Sequence, residues 1–84
     1  MRYRLIIRQQ AEKELGRLGH EDRKRIGIKL LLLETDPFPA GVIALKGREG
    51  FRIRISNYRV LYELDEVSKT VIVTSIGHRR DVYR

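Results

Sequence analysis

The residues best suited to chemistry stand in one stretch, Phe51-Arg52-Ile53-Arg54-Ile55-Ser56-Asn57-Tyr58-Arg59-Val60-Leu61-Tyr62. Strand side chains alternate between faces, so Arg52 and Arg54 point one way and Phe51, Ile53 and Ile55 the other. A two-residue turn at Ser56-Asn57 sets Ile55 opposite Tyr58, Arg54 opposite Arg59 and Ile53 opposite Val60. Opposed residues in an antiparallel pair share a face. One face then carries Phe51, Ile53, Ile55, Tyr58, Val60 and Tyr62, and the other carries Arg52, Arg54 and Arg59. Like charges set across a ladder cost from a few tenths to roughly 1 kcal/mol. Stability alone gives no reason to oppose Arg54 and Arg59. An anion such as a phosphate backbone does, because guanidinium forks match phosphate oxygens and keep their charge. The alternative is an ordinary solvated basic face, against which the opposition of the two arginines argues.

Other residues near the cluster carry weaker signals. Lys46 and Arg48 precede it and extend a phosphate track. His78 has a reference pKa of about 6.5 and is the one nearby side chain that titrates near neutrality, although a histidine at a strand end is more often structural. Tyr83 has a reference pKa near 10 and is a base if arginines lower it, a platform for a stacked nucleobase, or a packing residue. Arg80 and Arg84 are backbone contacts or surface charges. Tyr58 and Tyr62 face inward and belong to the core. His20 receives no role, and the two histidines are too far apart in sequence to suggest a metal site.

The elements that must position these groups fit one domain over residues 1–84, since 84 residues leave no room for a second. Residues 2–7 alternate loosely as a first strand. Ala11, Leu15 and Leu18 form a narrow helical stripe with Glu12, Lys13, Glu14 and Arg17 outside it. Gly16 weakens that helix and Gly19 stops it. A second helix starts near His20 or Glu21, with Glu21 and Asp22 complementing its positive end. Ile26, Leu30 and Leu33 lie on one face, with Ile28, Leu31 and Leu32 widening it, and Asp36-Pro37 ends the helix. Val42 to Leu45 is a short strand or a bridge. After the arginine hairpin, which ends at Leu64, Thr70 to Ile76 is the most β-prone run and reads as an interior strand closed by Gly77. The expected fold is α+β: an N-terminal strand, a two-helix hairpin, then a mainly antiparallel twisted sheet with the helices packed on one face.

Composition narrows the partners. The formal charge is +7, which supports binding to nucleic acid or another polyanion. Five basic residues and the single acid Glu49 lie between Lys46 and Tyr62. There is no cysteine, hence no disulfide framework and no thiolate metal site. The apolar runs are too short for a signal peptide or a membrane span, so cytoplasmic residence without membrane contact is the default expectation.

The order βααβββ, Asp36-Pro37, Leu45-Lys46-Gly47, Phe51-Arg52-Ile53-Arg54, Asn57-Tyr58-Arg59-Val60-Leu61-Tyr62-Glu63 and Gly77-His78-Arg79-Arg80-Asp81-Val82-Tyr83 together resemble the RelE/ParE toxin superfamily. RelE-type toxins are the nearer match, over Tyr3 to Tyr83. The resemblance implies the toxin half of a type II toxin–antitoxin pair, acting as a ribosome-dependent mRNA endonuclease. It implies attack of a ribose 2′-OH on the adjacent phosphate, with no metal or cofactor. The implied partners are the ribosome, mRNA and an antitoxin. Arg52 and Arg54 match the family's two basic residues before the turn, and Arg59 its arginine after it. Arg79 matches its arginine beyond the last strand, and Tyr83 its C-terminal tyrosine. These five are the expected catalytic residues, with Lys46, Arg48, His78, Arg80 and Arg84 as RNA contacts. Well-described members carry lysines where Arg52 and Arg54 stand, and arginine is a poor base because its pKa exceeds about 12. Some also carry a further helix after the tyrosine, whereas this sequence stops at Arg84. Two other readings stay open: a gyrase-directed toxin of the ParE branch, which lacks the full constellation, and an inactive homologue that only binds its antitoxin or RNA.

Overall fold

A computed structural model describes residues 2–78. The first strand, β1, spans Arg4–Ile7, and two helices follow, α1 over Gln9–Gly16 and α2 over His20–Leu32. A short β2 at Ile43–Ala44 precedes β3 (Phe51–Ile55), β4 (Tyr58–Asp65) and β5 (Thr70–His78). The sheet runs in the order β1-β5-β4-β3-β2, with β1 parallel to β5 and the other neighbours antiparallel. The helices cover one face, where Ala11, Ile26, Leu30 and Leu33 join Ile55, Val60, Tyr62, Val71, Val73 and Ile76 in the buried core. This is the α+β arrangement expected, with β5 interior.

Local chemistry sets the boundaries. Gly19 caps α2 in extended conformation, and Glu21 and Asp22 occupy its first turn, where carboxylates complement the helix dipole. The segment after α2 is held by aromatic contacts. Tyr62 donates its hydroxyl proton to the Pro37 carbonyl at 2.7 Å. Phe51 meets Phe38 edge-on at 5.3 Å and lies 5.7 Å from the Tyr62 ring. Gly50 turns the chain into β3 at a φ of +117°, and a Cβ there would stand 3.0 Å from the Tyr62 carbonyl oxygen. Only glycine combines that backbone with that approach.

The expected hairpin register holds: Ile55 pairs with Tyr58, Arg54 with Arg59 and Ile53 with Val60. Ser56 has a φ of 57° and Asn57 is not left-handed, the pattern of a tight II′ hairpin turn.

Three expectations are corrected. Ile28, Leu31 and Leu32 do not widen the buried face of α2; they are 53%, 58% and 53% exposed. Glu14 is not on the outside of α1. It is half buried and accepts the Ile76 amide at 2.8 Å, which caps the β5 edge beyond the end of β1. Gly77 does not close the last strand, which runs on to His78. The strand also carries a bulge. Leu61 pairs with Ser75 and Tyr62 with Val73, so Thr74 is an extra residue on β5. Its hydroxyl donates to the Leu61 carbonyl at 3.2 Å. One extra residue reverses side-chain parity. Val71 and Val73 point to the helices before the bulge and Ile76 does so after it.

Candidate functional site on the open face of the sheet

The site begins with alternation on β3 and β4 and is completed by the bulge on β5. On the side away from the helices, Arg54, Arg59 and Gly77 form one cross-strand row, and Ile43, Arg52, Leu61 and Ser75 form the next. Opposed side chains in such a pair start about 5 Å apart, and Arg52 and Arg54 are about 7 Å apart along the strand. The three arginines therefore stem from neighbouring positions on this face. Gly77 leaves the shelf beside Arg59 without a side chain, an opening that its reading as a strand terminator concealed. The bulge is what turns Gly77 to this face, and one sequence carries no signal for it.

Burial differs among the arginines. Arg52 and Arg59 are half buried and Arg54 is exposed. The Arg59 Nη1 atom is shielded from solvent. Half-buried guanidinium groups lose less rotamer freedom when a ligand arrives, so they are already positioned. No ion pair among the described residues engages Arg54.

The other expected residues divide. His78 stands opposite Tyr58, and its ring meets the tyrosine ring edge-on at 5.6 Å. Tyr58 reaches toward the helices and donates to Asp22 on α2 at 3.1 Å, so His78 lies on the helix side, not with the arginines. Lys46 and Arg48 are exposed in the connection between β2 and β3, at the far end of β3 from Arg54. Arg48 shares a depression with Glu49, Glu63, Asp65 and Glu66, so that end of the sheet is electrostatically mixed. Arg79, Arg80, Tyr83 and Arg84 lie outside the described residues.

The arginine rows of this surface offer charge rather than a proton acceptor. Burial pushes the Tyr58 phenol above its usual value and the Asp22 carboxylate adds to the shift. Burial first, and then Asp36, pushes Tyr62 to about 12. Both tyrosines are on the helix side. The arginine row can hold oxyanions and stabilise charge that grows on a phosphate, with forked donors that stay protonated. Among the described residues no cluster of histidine, aspartate or glutamate side chains offers a metal site, and no helix is long and apolar enough to cross a membrane.

Comparison with known proteins gives this geometry a family. The chain is 28% identical to the archaeal RelE of the RelE–RelB complex from Pyrococcus horikoshii OT3, covering 98% of this chain and 100% of that one at a TM-score of 0.84. It is 29% identical to the isolated E. coli RelE toxin, covering 96% and 90% at a TM-score of 0.79. A YoeB/ParE toxin from Agrobacterium tumefaciens, 15% identical, shares the fold at a TM-score of 0.76 over 90% of this chain and 98% of that one. No curated protein matches by sequence. A family model described as the ParE toxin of the type II toxin–antitoxin system parDE matches residues 5–83. With a match of that length and a fold shared with RelE toxins, the chain belongs to this ParE toxin family, within the RelE/ParE superfamily of type II toxins.

Proposed function

We propose that this toxin is a ribosome-dependent mRNA endonuclease whose substrate lies on the open face of the sheet. The observation that carries the reading is the opposition of Arg54 and Arg59 across β3 and β4, on a face that also holds Arg52. Two cations placed together at a cost to folding fit a ligand that brings negative charge. In the reaction, a ribose 2′-oxygen loses its proton and bonds to the adjacent phosphorus. The phosphorane gathers charge on its equatorial oxygens, the bond to the 5′-oxygen breaks, and that oxygen takes a proton. The products are a 2′,3′-cyclic phosphate and a 5′-hydroxyl. Arg52, Arg54 and Arg59 stabilise the phosphorane, with Arg79 as a fourth cation. Tyr83 is the assigned partner for proton transfer. His78 is not, because it faces the helices. The partners are the ribosome, mRNA and an antitoxin; the related P. horikoshii toxin was solved with RelB.

The second reading is a toxin that inhibits DNA gyrase without enzymatic activity, favoured by the ParE description of the matching family. Brief induction of the toxin followed by mapping of mRNA 5′ ends separates the two. New ends at regular codon positions, lost in Tyr83→Phe and Arg54→Ala, support the nuclease. Broken DNA with intact mRNA overturns it in favour of gyrase.

A further inference from the structure

Beyond its arginines the open face carries a further row, one strand repeat past Arg52 and Leu61. Strand alternation sets Glu63 on this face, where it pairs with Ile72, and Ile72 pairs in turn with Ile6. On the other side of Glu63 stands Gly50. A Cβ on Gly50 would lie 3.3 Å from the Leu45 Cδ1 atom and 3.5 Å from the Glu63 Cγ atom, so the missing side chain leaves a shelf between them. Leu45, Gly50, Glu63 and Ile72 line a depression of about 600 Å³. Arg48 and Glu49 border it from the exposed connection before β3, and their charges offset. The two nearest acids are already engaged. Asp65 accepts the Val67 and Ser68 amides, and Glu66 accepts from Tyr3 and Lys69. Glu63 has neither a hydrogen bond nor an ion pair among the described residues. The row is thus an aliphatic shelf with one uncommitted carboxylate, beside a row of cations.

A ligand that spans both rows is anionic at one end and offers N–H donors at the other. Gly50 and Arg52 are about 7 Å apart along β3, so a phosphate on the arginines and its own nucleobase on the shelf fit the two rows. We infer that Glu63 is the specificity-determining residue of this face and that it selects guanine. The assignment rests on the proposed placement of RNA on the open face. An ionised carboxylate only accepts hydrogen bonds, through two oxygens. Guanine sets N1–H and N2–H side by side on its Watson–Crick edge and meets both. Adenine and cytosine each set an amino group beside a ring nitrogen that also accepts, and uracil sets one N–H between two carbonyl oxygens. A bidentate, charge-assisted pair is the strong form of this contact. Unstacked bases of single-stranded RNA are commonly read along this edge, and Leu45 and Ile72 supply aliphatic cover for the ring. The carboxylate also sets direction, because it repels phosphate and keeps the RNA backbone on the arginine rows. An acidic peptide is repelled by Glu63, and a basic one by the arginines.

The test measures binding of the full-length toxin to uridine oligomers, 2′-O-methylated against cleavage, that carry one central guanosine, inosine or adenosine. Inosine lacks only the N2 amino group. The parent binds the guanosine oligomer about tenfold more tightly than either of the others, the discrimination typical of one bidentate base contact. Glu63→Gln keeps the shape of the side chain but replaces one acceptor oxygen by a donor. It retains the parental melting temperature and loses the preference. Arg54→Ala weakens all three oligomers alike and keeps the preference. Equal affinity of the parent for the three oligomers overturns the inference, as does a preference that persists in Glu63→Gln. A uniform rise in affinity in Glu63→Gln with the ranking unchanged also overturns it, since the carboxylate then only repels phosphate. In each of these outcomes weaker binding by Arg54→Ala leaves the placement of RNA standing. If no oligomer binds the parent, that placement itself fails and the role of Glu63 falls with it.

Discussion

The two faces of the β3–β4 hairpin follow opposite rules on one backbone. Toward the helices, Val60 and Tyr62 are sealed from solvent and Ile55 nearly so. Phe51 lies tilted against the Tyr62 ring, whose hydroxyl donates to the Pro37 carbonyl. Tyr58 likewise donates to Asp22, so both tyrosine hydroxyls on this face have partners, as burial requires. On the other face the same register sets Arg54 against Arg59, with Gly77 beside them. The first face completes its energetics within the chain. The second gathers like charge on one surface, and the proposal that RNA lies there rests on this asymmetry.

The comparison breaks most visibly on the inner face. Tyr62→Ala removes a buried ring and is expected to cost about 3–5 kcal/mol. Urea denaturation should show a lower midpoint at unchanged slope, and an unaltered midpoint would contradict the role given to the ring. On the outer face, Arg54→Ala should lower mRNA cleavage by about 10²-fold or more, the usual effect of losing one charge-stabilising donor. Its denaturation midpoint should stay level or rise slightly as the like-charge pair is relieved. A loss of stability of more than about 1 kcal/mol would make Arg54 a structural residue.

Subtler changes sharpen the contrast. Tyr62→Phe leaves the Pro37 carbonyl without its donor and should cost about 1–2 kcal/mol. Burial holds the Tyr62 pKa at about 12, above the ordinary 10.0. The contribution of the protonated phenol is therefore complete below pH 10 and is lost as pH rises through 12. Stability of the parent should fall more steeply across that window than stability of Tyr62→Phe, and equal slopes would count against this. Ser56→Val forces a β-branched residue into a φ of 57° and should cost about 1 kcal/mol at the hairpin turn. Thermal melting within error of the parent would show the turn to be relaxed.

The hairpin was legible in the sequence because a two-residue turn and a strict alternation leave one register that gathers Phe51, Ile53, Ile55, Tyr58, Val60 and Tyr62 on one face. The helix stripes were legible in part. Period 3.6 identifies Ile26, Leu30 and Leu33 as one face, but it does not say that Ile28, Leu31 and Leu32 turn away from the sheet. That depends on where a helix settles in three dimensions. Glu14 read as a solvent-side helix residue because the edge of β5 that it caps is 62 positions away in the chain. The face occupied by His78 was hidden for a similar reason. Unbroken alternation through Thr74 would point His78 to the open side; the bulge at Thr74 puts Gly77 there instead. The parallel pairing of β1 with β5 is equally non-local and leaves no mark on either segment alone.

The most direct measurement is the dependence of RNA affinity on salt for the parent and Arg54→Ala, using a single-stranded oligoribonucleotide that cannot be cleaved. Removing one phosphate contact should reduce the slope of log affinity against log salt by about 0.7 and weaken binding at every salt concentration. An unchanged slope with unchanged affinity would mean that RNA does not lie on the arginine face.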